Sequence, residues 1–178
     1  MLKRLRNIGV VLAVAVLIIA GYVLAVNVQG NFHPITPGEA YRSGQLNSSK
    51  LARYVEQYKI KSVLNLRGTH PGEDWYEEEL AASSKLQLMH YDISLSASHE
   101  LTESDVRQLI DIFKTAPRPM LIHCQAGADR SGLVAAMWQV VVDKTSKAEA
   151  KKQLSLWYGH IAIGEKRAMD NFFEKWNP

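Results

Sequence analysis

The chain has 178 residues, 47% hydrophobic and 22% charged, which is enough apolar material for one folded core and excludes a disordered or low-complexity chain. Its net charge of +3 equals the three basic residues Lys3, Arg4 and Arg6; the other 18 Lys and Arg balance 18 Asp and Glu, which excludes a basic nucleic-acid-binding face. The single cysteine, Cys124, excludes an internal disulfide framework, and His33, His70, His90 and His99 have no metal-ligand spacing, so no metal or other cofactor is expected.

After the three basic residues, Ile8 to Val26 runs for 19 residues without a charge. As a helix it would span about 28 Å, close to the roughly 30 Å of a bilayer's hydrocarbon core. Two readings stand: a retained transmembrane anchor over residues 1–26, or a signal peptide cleaved near Val23-Leu24-Ala25. The run exceeds the roughly 7–15 residues of a signal core, which favours the anchor. No Lys or Arg follows until Arg42, so the positive-inside rule puts the N-terminus in the cytoplasm. The remainder then lies outside, which in a bacterium is the periplasmic side of the inner membrane; cleavage would release it into the periplasm.

Residues 27–40, with Pro34 and Pro37, read as a linker, and a domain over 41–178 opens with a short strand or turn around Tyr41. Asn47 or Ser48 caps a helix with Leu51, Tyr54, Val55 and Tyr58 on one face. Ser62 to Leu66 reads as a strand, and Arg67-Gly68 and Pro71-Gly72 mark a loop in which Arg67 either assists substrate or pairs with Glu73 or Asp74. Glu73 to Lys85 is a helix with an acidic start suited to its dipole. Gln87 to Leu95 is the next strand. In Leu101 to Val106, Thr102 and Asp105 approximate a capping box, opening a helix whose core face is Val106, Leu109, Ile110 and Phe113. Pro117 and Pro119 stop it before a strand over Met120 to His123. Ser131 to Asp143 is a helix apolar nearly all round, followed by amphipathic helices over Lys147 to Tyr158 and Gly164 to Trp176. Strands alternating with helices indicate an α/β fold, its central sheet mostly parallel and flanked by helices.

Met120 to Gly132, MLIHCQAGADRSG, organises the rest. A thiol attacks as thiolate, so its site must favour an anion. A strand ending at Cys124 and a helix starting near Ser131 leave Gln125, Ala126, Gly127, Ala128, Asp129 and Arg130 as a turn whose N–H groups converge above the sulfur, where the helix N-terminus adds positive potential. The planar fork of Arg130 matches two phosphate oxygens, Gly127 permits positive φ, and the Ser131 hydroxyl can stabilise sulfur as a leaving group. His123 supports the loop rather than acting as a base.

HCQAGADRSG resembles the H-C-x5-R-[S/T] signature of the cysteine-dependent protein tyrosine and dual-specificity phosphatases, in a form most similar to bacterial tyrosine phosphatases, some of whose relatives also accept phosphoinositides. YRSGQL (Tyr41 to Leu46) and VLNLRG (Val63 to Gly68) match the same group, so the resemblance spans roughly residues 35–178. It implies a compact dual-specificity-phosphatase-like fold, a phosphocysteine formed on Cys124, and phosphoryl oxygens held by Arg130. The general acid lies among Asp92, Asp129 and Glu100, with Asp92 first because it precedes the capped helix. Gln125 either orients the hydrolytic water or faces solvent. His160, Trp157 and Tyr158 either rim the pocket or pack at a helix end. The expected substrate is a phosphorylated protein, with a membrane phospholipid as alternative and a silent phosphate-binding module as the non-enzymatic reading.

Overall fold

The computed structural model describes residues 29–178 and, ahead of them, Val14, Leu17, Gly21 and Tyr22. The anchor expected over residues 1–26 otherwise lies outside the described residues; among those described, no helix is long and apolar enough to cross a membrane. The elements run β1 (His33–Thr36), β2 (Ala40–Ser43), α1 (Ser48–Tyr58), β3 (Ser62–Asn65), α2 (Asp74–Lys85), β4 (Met89–Asp92), α3 (Glu103–Thr115), β5 (Met120–His123), α4 (Asp129–Val141), α5 (Lys147–Ala150) and α6 (Arg167–Lys175). Short 3-10 turns fill the stretch between α5 and α6.

The described strands form one five-stranded sheet in the order β1-β2-β5-β3-β4. β1 is antiparallel to β2, and the other pairings are parallel, so the sheet is mixed and mostly parallel, as expected. Each parallel strand is short and returns through a helix, because a parallel pairing needs a crossover connection. Alternation along the strands divides the core. Leu64, Met120 and Ile122 face one layer with Leu109 and Phe113 of α3, Leu133 to Trp138 of α4 and Phe173 of α6. Val63 and Leu121 face the other with Leu51 and Tyr54 of α1 and Ala82 of α2.

Register decides where the chemistry sits. Ser43 lies opposite His123, His123 opposite Asn65, and Asn65 opposite Asp92, so these four residues form one row at the carboxyl edge of the parallel strands. Open α/β sheets present ligands at that edge. Helix caps follow the local signals: the Asn47 side chain accepts from the Lys50 amide, and Thr102 and Asp105 complete a reciprocal capping box.

Four expectations need correction. His33–Thr36, read as linker, is an edge strand. The strand expected over Gln87 to Leu95 is confined to Met89–Asp92, because Gln87 takes a positive φ of 57° in the turn leaving α2 and the chain beyond Asp92 passes into loop. The helix expected over Lys147 to Tyr158 stops after Ala150 and one 3-10 turn, since Leu154 and Ser155 leave helical geometry while the Gln153 carbonyl and side chain accept hydrogen bonds from Arg42. The helix predicted from Ser131 starts earlier, at Asp129, so its N-terminus reaches into the loop itself.

Phe113 is fully buried and meets Trp138 edge-on, with ring centroids 5.2 Å apart. Phe113→Ala is expected to cost about 3–5 kcal/mol, read as a lowered denaturation midpoint at unchanged m-value.

Candidate active site

β5 delivers His123 and Cys124 to the carboxyl edge of the sheet, where the Cys124 amide donates to the Ser43 carbonyl at 3.3 Å. The following turn lies on the end of β2: a Cβ at Gly127, whose φ is +73°, would stand 2.5 Å from the Gly44 nitrogen, so only glycine fits. Cys124 is buried, with Sγ 3.5 Å from Ser131 Oγ, close enough for the hydroxyl to donate to a thiolate. Gln125 and Ala126 are exposed at the mouth.

Four successive carbonyls of this turn point away from the sulfur. The Gln125 carbonyl accepts from the Gln45 amide at 3.0 Å, and those of Ala126 and Gly127 accept from Asn31 Nδ2 at 3.1 and 3.0 Å. The carbonyls of Gly127 and Ala128 accept from Arg42 Nη2, each at 2.9 Å. In a trans peptide the N–H points opposite to the C=O. Turning these carbonyls onto the scaffold therefore aims the amides of residues 126 to 129 toward the space above Cys124. That is an anion nest at a helix N-terminus.

Arg42 was not singled out from the sequence, yet it is fully buried beneath the loop. Its Nη1 donates to the Gln153 carbonyl at 2.7 Å and to Gln153 Oε1 at 2.9 Å, and its guanidinium lies 4.5 Å from the centre of the Tyr158 ring. Burial pulls its pKa down to about 10, while Cys124, Tyr158 and Asp129 act in the opposite direction. It stays cationic at neutral pH. It makes no ion pair among the described residues, so its charge adds positive potential under the nest.

Arg130 projects from the first turn of α4, and its Nη1 approaches the carbonyls of Leu95 and Leu66 at 3.2 and 3.4 Å. Arg67 shares this mouth. Burial and the neighbouring Arg130 charge both lower its pKa. Its Nη1 donates to Gln45 Oε1 at 2.9 Å and its guanidinium lies 3.3 Å from the centre of the Trp75 ring; it forms no ion pair with Glu73 or Asp74.

A second polar chain runs sideways from His123, beside Cys124. His123 Nε2 lies 3.0 Å from Glu79 Oε1, and His90 Nε2 lies 2.8 Å from the same oxygen. Glu79 Oε2 accepts from Gln45 Nε2 at 2.5 Å. Burial pushes the Glu79 carboxyl up, but the His123 charge and the hydrogen bonds from His123 and His90 outweigh it and hold the group at about 2. His90 Nδ1 is 3.5 Å from Asp92 Oδ2, which accepts from the Tyr76 hydroxyl at 2.8 Å; Asp92 Oδ1 accepts from Asn65 Nδ2 at 2.8 Å. Burial and the Asp92 contact push the Tyr76 hydroxyl up to about 12.

The three candidate acids thus have different surroundings. Glu100 pairs with Lys175 Nζ at 2.7 Å on α6. Asp129 is turned toward His160, with Oδ1 to Nδ1 at 2.7 Å, and His160 Nε2 meets Asp170 Oδ2 at 2.8 Å. Burial lowers the His160 pKa, yet the two carboxylates prevail and raise it above the usual histidine value. His160 is therefore a buried tie between the loop and α6. Of the three carboxylates, Asp92 alone occupies the strand row of His123. Among the described residues no group of histidine, cysteine or carboxylate side chains could hold a metal ion.

Arg42→Met would leave the carbonyls of Gly127 and Ala128 without their charged donor, so inhibition by inorganic phosphate is expected to weaken about 10- to 100-fold. Because Glu79 is held at about 2 against an ordinary 4.5, its stabilising contribution is complete above about pH 4.5 and is lost as pH falls toward 2. Glu79→Gln should therefore lower the urea midpoint at pH 7, with the gap from wild type closing below pH 4.5. A pH-independent gap would contradict this account.

Comparison with known proteins agrees with the geometry. The family model described as DSP-PTPase phosphatase fused to NAD+ kinase matches residues 36–171. The fold is similar to TpbA of P. aeruginosa, solved in complex with pTyr (21% identity over 82% of this chain and 84% of that one, TM-score 0.65). It is also similar to the core catalytic domain of the PP-IP phosphatase Siw14 of S. cerevisiae (20% identity, 83% and 85% covered, TM-score 0.66). A third similar structure is PTPMT1 in complex with PI(5)P (16% identity, 81% and 95% covered, TM-score 0.59). With more than half of the chain, residues 36–171, matched by the family model, and with that signature in the matched region, the chain belongs to this DSP-PTPase family of cysteine phosphatases.

Proposed function

We propose that the chain hydrolyses phosphate monoesters through a phosphocysteine, and that phosphotyrosyl proteins, with dual specificity for other phosphoresidues, are its substrates. The observation that carries the chemistry is the outward turn of the four loop carbonyls, which aims the amides at one point above Cys124 with Arg130 beside it. The Cys124 thiolate attacks phosphorus in line; the S–P bond forms as the ester P–O bond breaks. Arg130 and the amides take the equatorial oxygens, and Asp92 gives its proton to the departing oxygen. Water then attacks the phosphocysteine, oriented by Gln125 and deprotonated by the same Asp92. Inorganic phosphate leaves, and the sulfur departs as thiolate, stabilised by the Ser131 hydroxyl.

The protein-substrate reading is supported by the fold shared with TpbA and by the half-buried Trp75 ring stacked on Arg67 at the mouth. A phospholipid monoester is the second reading, favoured by the charge-free run Ile8 to Val26. In both, that run anchors the protein in the inner membrane, with the N-terminus cytoplasmic and the domain on the periplasmic side.

Full-length protein in detergent, offered phosphotyrosyl peptides and phosphatidylinositol monophosphate in parallel, decides between them by phosphate release. Cys124→Ser should release none from either; activity surviving there would sink the mechanism. Asp92→Asn should lower kcat about 10²-fold or more on poor leaving groups and much less on p-nitrophenyl phosphate, whose leaving group needs no proton. Equal losses on both would remove Asp92 from the acid's role.

A further inference from the structure

We propose that Leu156, Trp157, Ile161 and Ile163 form a surface that seats in the interfacial layer of a lipid bilayer and holds the phosphate loop beside the headgroups. This goes beyond an anchor, since the contact is made by the folded domain itself. It rests on the reading that Ile8 to Val26 enters a membrane, and not on the choice of substrate.

The four side chains are 70%, 64%, 47% and 73% exposed, and they fall within eight consecutive residues. Among the described residues from Gln29 onward, Met89 is the only other large hydrophobe so exposed. Apolar exposure gathered this tightly marks a contact surface, whereas scattered single residues need no partner. The segment is also held in shape. His160 is pinned between Asp129 and Asp170, its amide donates to the Ser155 carbonyl at 3.1 Å, and the Gly159 amide donates to the Leu156 carbonyl at 3.0 Å. The fold thus fixes an outward-facing apolar rim around a buried polar tie.

Two observations identify the occupant as a bilayer. Tyr22 belongs to the charge-free run, and its ring lies 5.5 Å from that of Trp157 while its hydroxyl donates to the Trp157 carbonyl. Tyr22, four residues before the end of the run, therefore meets the domain at this rim. A tyrosine beside a tryptophan at the end of an apolar span is the composition favoured where hydrocarbon meets headgroup. Three and four residues past Ile163 come Lys166, whose Nζ lies 3.7 Å from Asp129 Oδ2, and Arg167, which makes no ion pair among the described residues and so offers the rim a cation for anionic headgroups. The same segment flanks the catalytic loop through the His160 tie to Asp129 and the Tyr158 ring beneath Arg42. Seating the rim seats the loop.

The test uses the full chain reconstituted in vesicles of phosphatidylethanolamine and phosphatidylglycerol, with and without brominated acyl chains, and reads tryptophan fluorescence. Bromine should quench part of the wild-type emission, and Trp157→Phe should lose that quenchable part. Paired Ile161→Ser and Ile163→Ser changes, outside the catalytic machinery, should reduce quenching at least about twofold while leaving turnover of a soluble substrate unchanged. Equal quenching in wild type and Trp157→Phe overturns the proposal. So does vesicle flotation without quenching, which leaves an anchored domain standing clear of the lipid. Trp157 shielded from acrylamide but not reached by bromine also overturns it, assigning the rim to the chain's own apolar run or to a second copy. Failure to float with vesicles removes the anchor and the inference together, whatever the phosphatase assays give.

Discussion

Everything at the centre of this molecule depends on which way four peptide planes face. A loop that is to hold a dianion must turn its amides inward, and its carbonyls then need partners elsewhere, because a buried carbonyl without one is costly. The chain supplies those partners from three places: Asn31 ahead of β1, Arg42 within β2 and the Gln45 backbone just after it. The guanidinium is the economical choice, since one planar group satisfies two loop carbonyls and both acceptors of Gln153 while carrying a charge of the sign the site needs. Much of the surrounding structure can be read as the support this arrangement requires, from the parallel β2–β5 pairing that places Arg42 under the loop to the interrupted helix around Gln153.

The carboxyl edge of the sheet gives the second organising constraint. Parallel register sets Ser43, His123, Asn65 and Asp92 side by side, so a residue 32 positions upstream of Cys124 comes within two strands of it. The Glu79 bridge then ties the row to α2. One carboxylate oxygen shared by His123 and His90 fixes both rings, and the ring of His123 in turn sets the backbone that carries Cys124. The His160 bridge does the equivalent on the opposite side of the loop. The strand end and the helix end of the loop are thus braced by separate polar ties, one through each helical layer.

What could be read from the chain without coordinates was whatever is contiguous in it. Cys124, Arg130 and Ser131 stand within eight residues, the Thr102 capping box within four, and the strand–helix alternation is a local pattern. Arg42 and Asn31 were invisible as parts of the site, and His160, read as rimming the pocket or packing at a helix end, gave no sign of its tie to Asp129, because each acts through a partner far along the chain and nothing near them in sequence distinguishes a buried tie from a surface group. Glu79 left a trace: in the run Glu77, Glu78, Glu79 only the last shares a helical face with Tyr76 and Ala82, so phase alone marks it as inward. The amphipathic pattern after Lys147 was real but could not foretell that the Gln153 carbonyl would be claimed by a buried arginine instead of by the next turn of helix.

The position of Asn31 has a bearing on modularity. It lies nine residues beyond Tyr22 and grips the carbonyls of Ala126 and Gly127, with its own Oδ1 in turn met by His33 Nε2 at 3.0 Å. The connector that leads out of the apolar run is therefore a component of the catalytic loop's support and not a neutral spacer. A domain transplanted from this chain behind another N-terminal segment would have to carry residues 29–36 with it, and lengthening that connector would have to happen on the side of Gln29 nearer the apolar run. The segment that follows the apolar run and the loop it braces form one inheritable piece.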